Sequence, residues 1–210
     1  MGKSEIDCDI PNLYTWSPVT GCPRGCSYCV VRNRVWPRIK HCFGNHDYNK
    51  IVFHPDRMDE PAKKRKPVTY FVGFYSDHEY WDYGIKIQIL NECQLCYRHT
   101  FMFLSKNPIA YCGYIWPKNT MKGLTMVGTE TKHCQHEDIL EMMKYSRSFL
   151  SIEPLLGTLK IEIGSQFERV IVGAQTGPGS VIPENDWIDS IRNNVPANKI
   201  FWKDSIKKYL

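Results

Sequence analysis

Apolar residues along the chain fall into short, nearly continuous runs separated by longer segments of mixed polarity. Six runs stand out: VTYFVGF (68–74), FMFLS (101–105), LTMVGT (124–129), FLSIE (149–153), RVIVGA (169–174) and KIFW (199–202). Continuous rather than alternating apolar positions predict strands covered on both faces, as in parallel sheets. Between the runs, IKIQILNECQLCYRH (85–99), HEDILEMMKYS (136–146) and ENDWIDSIRNN (184–194) have helical length and amphipathic spacing. Strand, helix and strand in succession imply right-handed βαβ units. The pattern therefore predicts an α/β fold: a partial (βα)6-type barrel of mainly parallel strands with outer helices, or an open parallel sheet. A further strand is expected near Tyr14 and Trp16.

The one polar interruption, DRMDEPAKKRKP (56–67), reads as a surface connection, and 210 residues suit a single domain over 1–210. In such folds a ligand belongs at the carboxyl ends of the strands. Polar residues gather there: Ser76 and Asp77, Ser105 and Lys106, Thr129 and Glu130, Glu153, Gln175 and Thr176, and Lys203. Any one of them is also what a strand end meeting water looks like; as a set they predict a shared cavity.

Charge and cysteine content narrow the setting. Twenty-seven Lys and Arg against 22 Asp and Glu give a formal charge of +5, a mild bias toward polyanionic partners. The first residues carry no signal-like apolar run, and no later stretch approaches the roughly 18 apolar residues of a membrane span. The expectation is a soluble, cytoplasmic protein with no membrane partner. Nine cysteines, at 8, 22, 26, 29, 42, 93, 96, 112 and 134, form an odd set. In a reducing compartment their close spacing points to metal or redox chemistry rather than disulfides.

Cys22, Cys26 and Cys29 form a CxxxCxxC pattern in a loop (20–30) rich in Gly and Pro. Such a loop can aim three thiolates at one face of a four-iron, four-sulfur cluster, leaving one iron open to a small molecule. A zinc site completed by His41, Cys42 or His46 is the alternative, although zinc usually takes two separated pairs. Cys93 and Cys96, three apart on a predicted helix, read as core residues, with an auxiliary cluster as the sharper option. Cys8, Cys112 and Cys134 follow no pattern.

The CxxxCxxC spacing, with Tyr28 immediately before the last cysteine, resembles the signature of the radical S-adenosylmethionine (SAM) superfamily. The resemblance implies that Cys22, Cys26 and Cys29 hold the cluster and that the open iron chelates SAM. An electron from the cluster would then cleave SAM to a 5′-deoxyadenosyl radical. Over almost the whole chain, the sequence is similar to a phage-associated radical SAM family of unknown function with a TWNP-like start. The matching blocks are TWSP (15–18), YFVGFYSDHEYW (70–81), LSKN (104–107), VGTET (127–131), SIEPLLG (151–157), VIVGAQTGPG (170–179) and FWKD (201–204). Ser17, Asn107 and Gln175 stand where the family pattern has Asn, Arg and an acidic residue.

By this resemblance, Ser76 and Asp77 receive the SAM amino group. Thr129, Glu130 and Glu153 meet its ribose or carboxylate, and the backbone at Gly173 and Ala174 edges the adenine. Lys106, Gln175 and Lys203 are left for substrate, where a long cation suits a carboxylate or phosphate. A small-molecule or nucleotide substrate and a reductant such as flavodoxin or ferredoxin are implied, in the host cytoplasm if the protein is phage-encoded. KKRK (63–66) and the stretch with Arg32, Arg34, Arg38 and Lys40, near Trp36, Tyr48, Phe53 and His54, make nucleic acid a candidate partner. The rival readings are a zinc- or cluster-bearing nucleic-acid-binding module without catalysis, and a SAM-binding enzyme with non-radical chemistry.

Overall fold

The computed structural model describes residues 10–128, 136–144, 147–159 and 166–210. The chain divides into two compact units. One contains residues 11–104 and 113–120, the other 105–112 and 121–210.

In the first unit, β1 (Leu13–Trp16), β4 (Thr69–Val72) and β5 (Thr100–Ser105, but for its last residue) pair in parallel, in the order β1-β4-β5. The register sets Trp16 beside Val72 and Tyr70 beside Phe101. Their rings build the core: Trp16, Tyr70, Phe101 and Phe103 are fully buried, with Trp16 and Phe101 centroids 5.6 Å apart and Tyr70 stacked on Phe101 at 5.4 Å. Aromatic pairs at these spacings stabilise beyond their buried area. Helix α2 (Tyr83–Leu95) links β4 to β5. It begins where the Asp82 carboxylate accepts from the Gly84 amide at 2.8 Å. It ends where the Asn119 side-chain amide donates to the carbonyls of Cys93 and His99, at 2.8 and 3.0 Å. Cys93 and Cys96 are both buried against this turn, as core cysteines should be. Burial drives the Cys93 thiol well up and the Cys96 thiol up to about 12.

Two features of this unit carry weak apolar patterns. Residues Val19–Thr20 (β2) and Val52–Phe53 (β3) form a short antiparallel pair. Between them, Val31–Phe43 is helical, passing from π through α1 (Trp36–Ile39) to 3-10 geometry. Its buried side is aromatic: Trp36 lies 5.7 Å from Phe43, 5.2 Å from Tyr48 and 4.7 Å from His46.

In the second unit, β6 (Thr120–Met126, but for its first residue), β7 (Arg147–Ile152), β8 (Arg169–Val172) and β9 (Ile200–Trp202) are parallel neighbours in chain order. Helices α3 (His136–Met143), α4 (Asn185–Asn194) and α5 (Asp204–Lys207) lie between or after them. Ile188 and Ile191 of α4, Phe149 and Leu150 of β7, and Val170 and Val172 of β8 are all buried. The class is thus α/β with parallel strands, as the apolar runs predict.

Strand β6 begins four residues before the run at Leu124 because two unpromising residues are accommodated. Lys122 is buried, and its ammonium donates to the Met142 carbonyl at the end of α3, at 3.0 Å. At Gly123 the Tyr111 hydroxyl donates to the carbonyl at 2.6 Å and accepts from the amide at 3.1 Å.

Candidate functional site

The cysteine loop starts at Gly21, whose φ is +91° and whose amide donates to Tyr75 O at 3.0 Å. A side chain is excluded here, since a Cβ would lie 1.8 Å from Lys50 O. Cys22 N then donates to Tyr48 O at 2.7 Å, tying the first thiol to the segment before β3. Gly25, at φ +73°, turns the chain back. A tight turn follows, with Cys29 N donating to Cys26 O at 3.1 Å and Asn33 N to Cys29 O at 3.0 Å. All three thiols are free and half-buried.

Backbone amides point at the sulfurs. Arg32 N lies 3.3 Å from Cys29 Sγ. Burial pushes the Cys22 thiol up and the Asp77 carboxylate adds to this, against amide hydrogen bonds from Arg24 and Asp77 that favour the thiolate. All three thiols also act on one phenol: burial raises the Tyr48 hydroxyl first, and Cys29, Cys22 and Cys26 raise it further. Tyr28 is raised by burial and by its neighbour Cys26. Arg32 closes the far side, donating to Cys22 O and to Asn49 Oδ1 at 2.9 Å, with its guanidinium 5.0 Å from the Tyr48 ring centre.

The expected Ser76–Asp77 pair belongs to this site. Arg24 Nε is 3.7 Å from Asp77 Oδ2, Arg24 also pairs with Glu79, and its guanidinium sits 5.5 Å from the Tyr80 ring. Asp77 Oδ1 accepts from the Glu79 amide at 3.1 Å, and Ser76 Oγ accepts from Trp81 Nε1 at 2.8 Å. The loop and the β4 end are therefore joined by an ion cluster between Cys22 and Cys26. Behind it, His78 is buried among Trp81, Phe103 and Trp116 at 5.8–5.9 Å. Lys86 is buried on α2 and lowered to about 8, by burial against a partial offset from Asp77.

Three free, half-buried thiols on one loop are the donor set that a cluster of several irons would use. In a cubane each thiolate meets its own iron, so the sulfurs need to surround a body rather than converge on one atom. Amide donors to the sulfurs are the usual means of stabilising ligated thiolates. Among the described residues, no three His, Cys, Asp or Glu side chains are gathered closely enough for a single metal ion. His41 and Cys42 are exposed. His46 uses both ring nitrogens, Nδ1 to Asp47 O and Nε2 to Thr20 Oγ1, each at 2.8 Å.

In the second unit, Glu153 and Lys203 are brought together. Lys203 Nζ is 2.6 Å from Glu153 Oε1, and Ser151 Oγ donates to Glu153 Oε2 at 3.1 Å. Gly173 leaves room for this pair, as a Cβ there would lie 2.6 Å from Glu153 Oε1 and 3.1 Å from Lys203 Cδ. The amides of Gly173 and Ala174 donate to Ile152 O and Ser205 Oγ at 3.1 and 3.2 Å. Gln175 Oε1 accepts from the Val181 amide at 3.1 Å and borders an open cavity of about 410 Å³ with Ser205 and Tyr209. Lys106 is half-buried before the 3-10 turn Pro108–Tyr111. Thr129 and Glu130, like Cys8 and Cys134, lie outside the described residues.

Sequence reasoning missed Arg24 and Glu79 as parts of this site, and it reads Arg32 and Tyr48 as part of a nucleic-acid surface rather than as neighbours of the thiols. Arg24 could have been singled out as a cation inside a cysteine loop facing SDHE in the next block. Nothing local to Tyr48 signals its place beside the thiols.

A family model described as "Protein of unknown function (DUF5131)" matches residues 11–205. No curated protein and no solved structure matches the chain.

Proposed function

The chain belongs to the DUF5131 family of proteins of unknown function, so its activity has to be read from its own residues, and we propose that it is a radical SAM enzyme. The observation that carries this reading is the arrangement of Cys22, Cys26 and Cys29: three half-buried free thiols on one loop, with amide donors at Cys22 and Cys29. When bound, a four-iron, four-sulfur cluster would supply the electron that cleaves SAM to a 5′-deoxyadenosyl radical. The partial barrel typical of that superfamily is part of the same proposal, supported by the parallel strands in each unit.

The chain's own residues would then divide the remaining work. Asp77 offers a carboxylate beside the loop for the ammonium of SAM, and Arg24 holds that carboxylate in place. Ser76 is oriented by the Trp81 indole. Tyr28 and Tyr48 cover the thiols with aromatic surface that excludes water. Thr129, Glu130, Glu153, Gly173 and Ala174 are proposed for the rest of SAM, and Lys106, Gln175 and Lys203 for a nucleobase, nucleotide or other small polar substrate. Flavodoxin or ferredoxin is the proposed electron source, in a reducing cytoplasm.

The test is anaerobic reconstitution with iron and sulfide, followed by metal analysis and absorbance. The expected result is a brown protein holding about four irons per chain, lost when any of Cys22, Cys26 or Cys29 becomes Ala. Tight zinc, no visible absorbance and no iron would replace this reading with a zinc-stabilised module.

A further inference from the structure

At the other end of β4 from the cysteine loop lies a basic ridge that the proposed chemistry does not use. Residues 61–68 lead into β4 there, and Tyr97 to His99 lead into β5. A basic run on a connection is ordinarily a loose, solvated segment. This one is fastened along its length. One imidazole holds both ends: His99 Nδ1 accepts from Val68 N at 3.3 Å, and Nε2 donates to Pro61 O at 3.2 Å. Lys64 N donates to Pro61 O at 3.1 Å, and the Arg98 guanidinium donates to Arg65 O at 3.2 Å. Arg98 is thereby drawn into the run from 33 residues away.

The charges on this ridge are not neutralised. Among the described residues, Lys64, Arg65, Lys66 and Arg98 make no ion pair, and the nearby carboxylates are engaged elsewhere. Asp59 holds Lys63 at 2.7 Å, Glu60 holds Arg57 at 3.1 Å, and Glu92 accepts from the Cys96 thiol at 3.3 Å. Aromatic surface is interleaved with the cations. Lys64 Nζ sits 4.1 Å from the Tyr14 ring centre, and Tyr97, with 74% of its surface exposed, lies 5.9 Å from the Arg98 guanidinium.

The geometry points to a docking surface for the phosphate backbone of a nucleic acid, built from Lys64, Arg65, Lys66 and Arg98 with Tyr97 as a stacking platform. Fixed cations that lack carboxylate partners gain from phosphates through counterion release, and an exposed ring accepts any base. The backbone of the ridge is held in place before binding, which lowers the entropy of ordering it. Since the ridge and the thiol loop lie at opposite ends of β4, the surface recruits nucleic acid without depending on the cluster.

Anisotropy of a labelled oligonucleotide, single-stranded and duplex, measures this between about 50 and 200 mM salt. The parent is expected to bind, more weakly as salt rises. Arg65→Gln with Lys66→Gln removes two exposed cations but keeps the backbone contact of Arg65. It should weaken binding by about tenfold and reduce the salt slope by about two. Arg192→Gln with Lys207→Gln, an equal loss of charge on the other unit, should leave binding unchanged. Equal weakening by both pairs, or no binding by the parent, would overturn the proposal. So would competition by polyglutamate as effective as that by DNA, which would indicate an acidic protein partner.

Discussion

Arg24 Nε lies 3.7 Å from Asp77 Oδ2, so a cation between the first two cysteines of the loop is held by the residue that follows Ser76. Glu79 takes the other side of the same guanidinium. Side-chain exposures of 11–23% put the three groups in a setting where removing one leaves a poorly hydrated charge on the others. Arg24→Ala is expected to destabilise the first unit by about 1–3 kcal/mol. It should also lower iron retention by the loop, while Arg24→Lys keeps part of both. Denaturant unfolding and iron content measure the two effects. Unchanged values for Arg24→Ala would remove Arg24 from the account of the site.

Gly21 and Gly173 are both needed for space, yet they differ in what would have to move. A Cβ at Gly21 meets the Lys50 carbonyl at 1.8 Å, and the residue's φ of +91° also disfavours any side chain. At Gly173 the obstacle is the end of the Glu153 side chain, which can swing. Gly21→Ala should therefore cost about 3 kcal/mol or more and Gly173→Ala about 1 kcal/mol. Thermal or urea unfolding of both variants reads the order directly, and a larger loss at Gly173 would contradict it.

Acidification should weaken the fold through its buried imidazoles. Burial holds His78 well below the ordinary value of 6.5, with the Lys86 charge acting in the same direction, and His54 and His99 are lowered by burial as well. A group whose folded pKa is depressed binds its proton more readily when unfolded. Stability is then unaffected above about pH 6.5 and falls as the pH drops below it. The depression is strongest at His78, which therefore carries the largest share of that loss. Urea midpoints at pH 7 and pH 5 test this: His78→Phe should flatten the difference, and an equal drop in parent and variant would exclude His78 as a source.

Much of this architecture was legible in the chain. The runs at 101–105, 149–153 and 169–174 are strands within two residues of their expected limits because both faces are covered and their central positions, such as Phe149–Ser151 and Val170–Val172, are buried and apolar or small. The apolar run at Leu124 starts later than strand β6 because Lys122 and Gly123 break the pattern ahead of it. The Met142 carbonyl and the Tyr111 hydroxyl, remote in sequence, make them acceptable in a strand. The helical segment after the cysteine loop was illegible for a related reason. Val31–Phe43 buries one aromatic side against Tyr48, and a mixed π, α and 3-10 path has no steady period to detect.

Of the candidate site, the grouping of Cys22, Cys26 and Cys29 on one loop is legible in their spacing, and Ser76 and Asp77 in the polar end of a strand. The site is not legible where partners meet only in three dimensions. Arg24 and Glu79 are 55 residues apart, and Glu153 at the end of β7 meets Lys203 at the end of β9 across the intervening β8. The polarity of the connection 56–67 predicts a surface segment. Its exposed basic run is there, but His99 and Arg98 fasten its backbone in a way that composition does not reveal.

The most direct test of the central claim is release of 5′-deoxyadenosine from SAM by the reconstituted protein, reduced with dithionite under anaerobic conditions. The account predicts product from the parent and none from Cys22→Ala, Cys26→Ala or Cys29→Ala. A parent with a fully loaded cluster that leaves SAM intact across candidate substrates would contradict it.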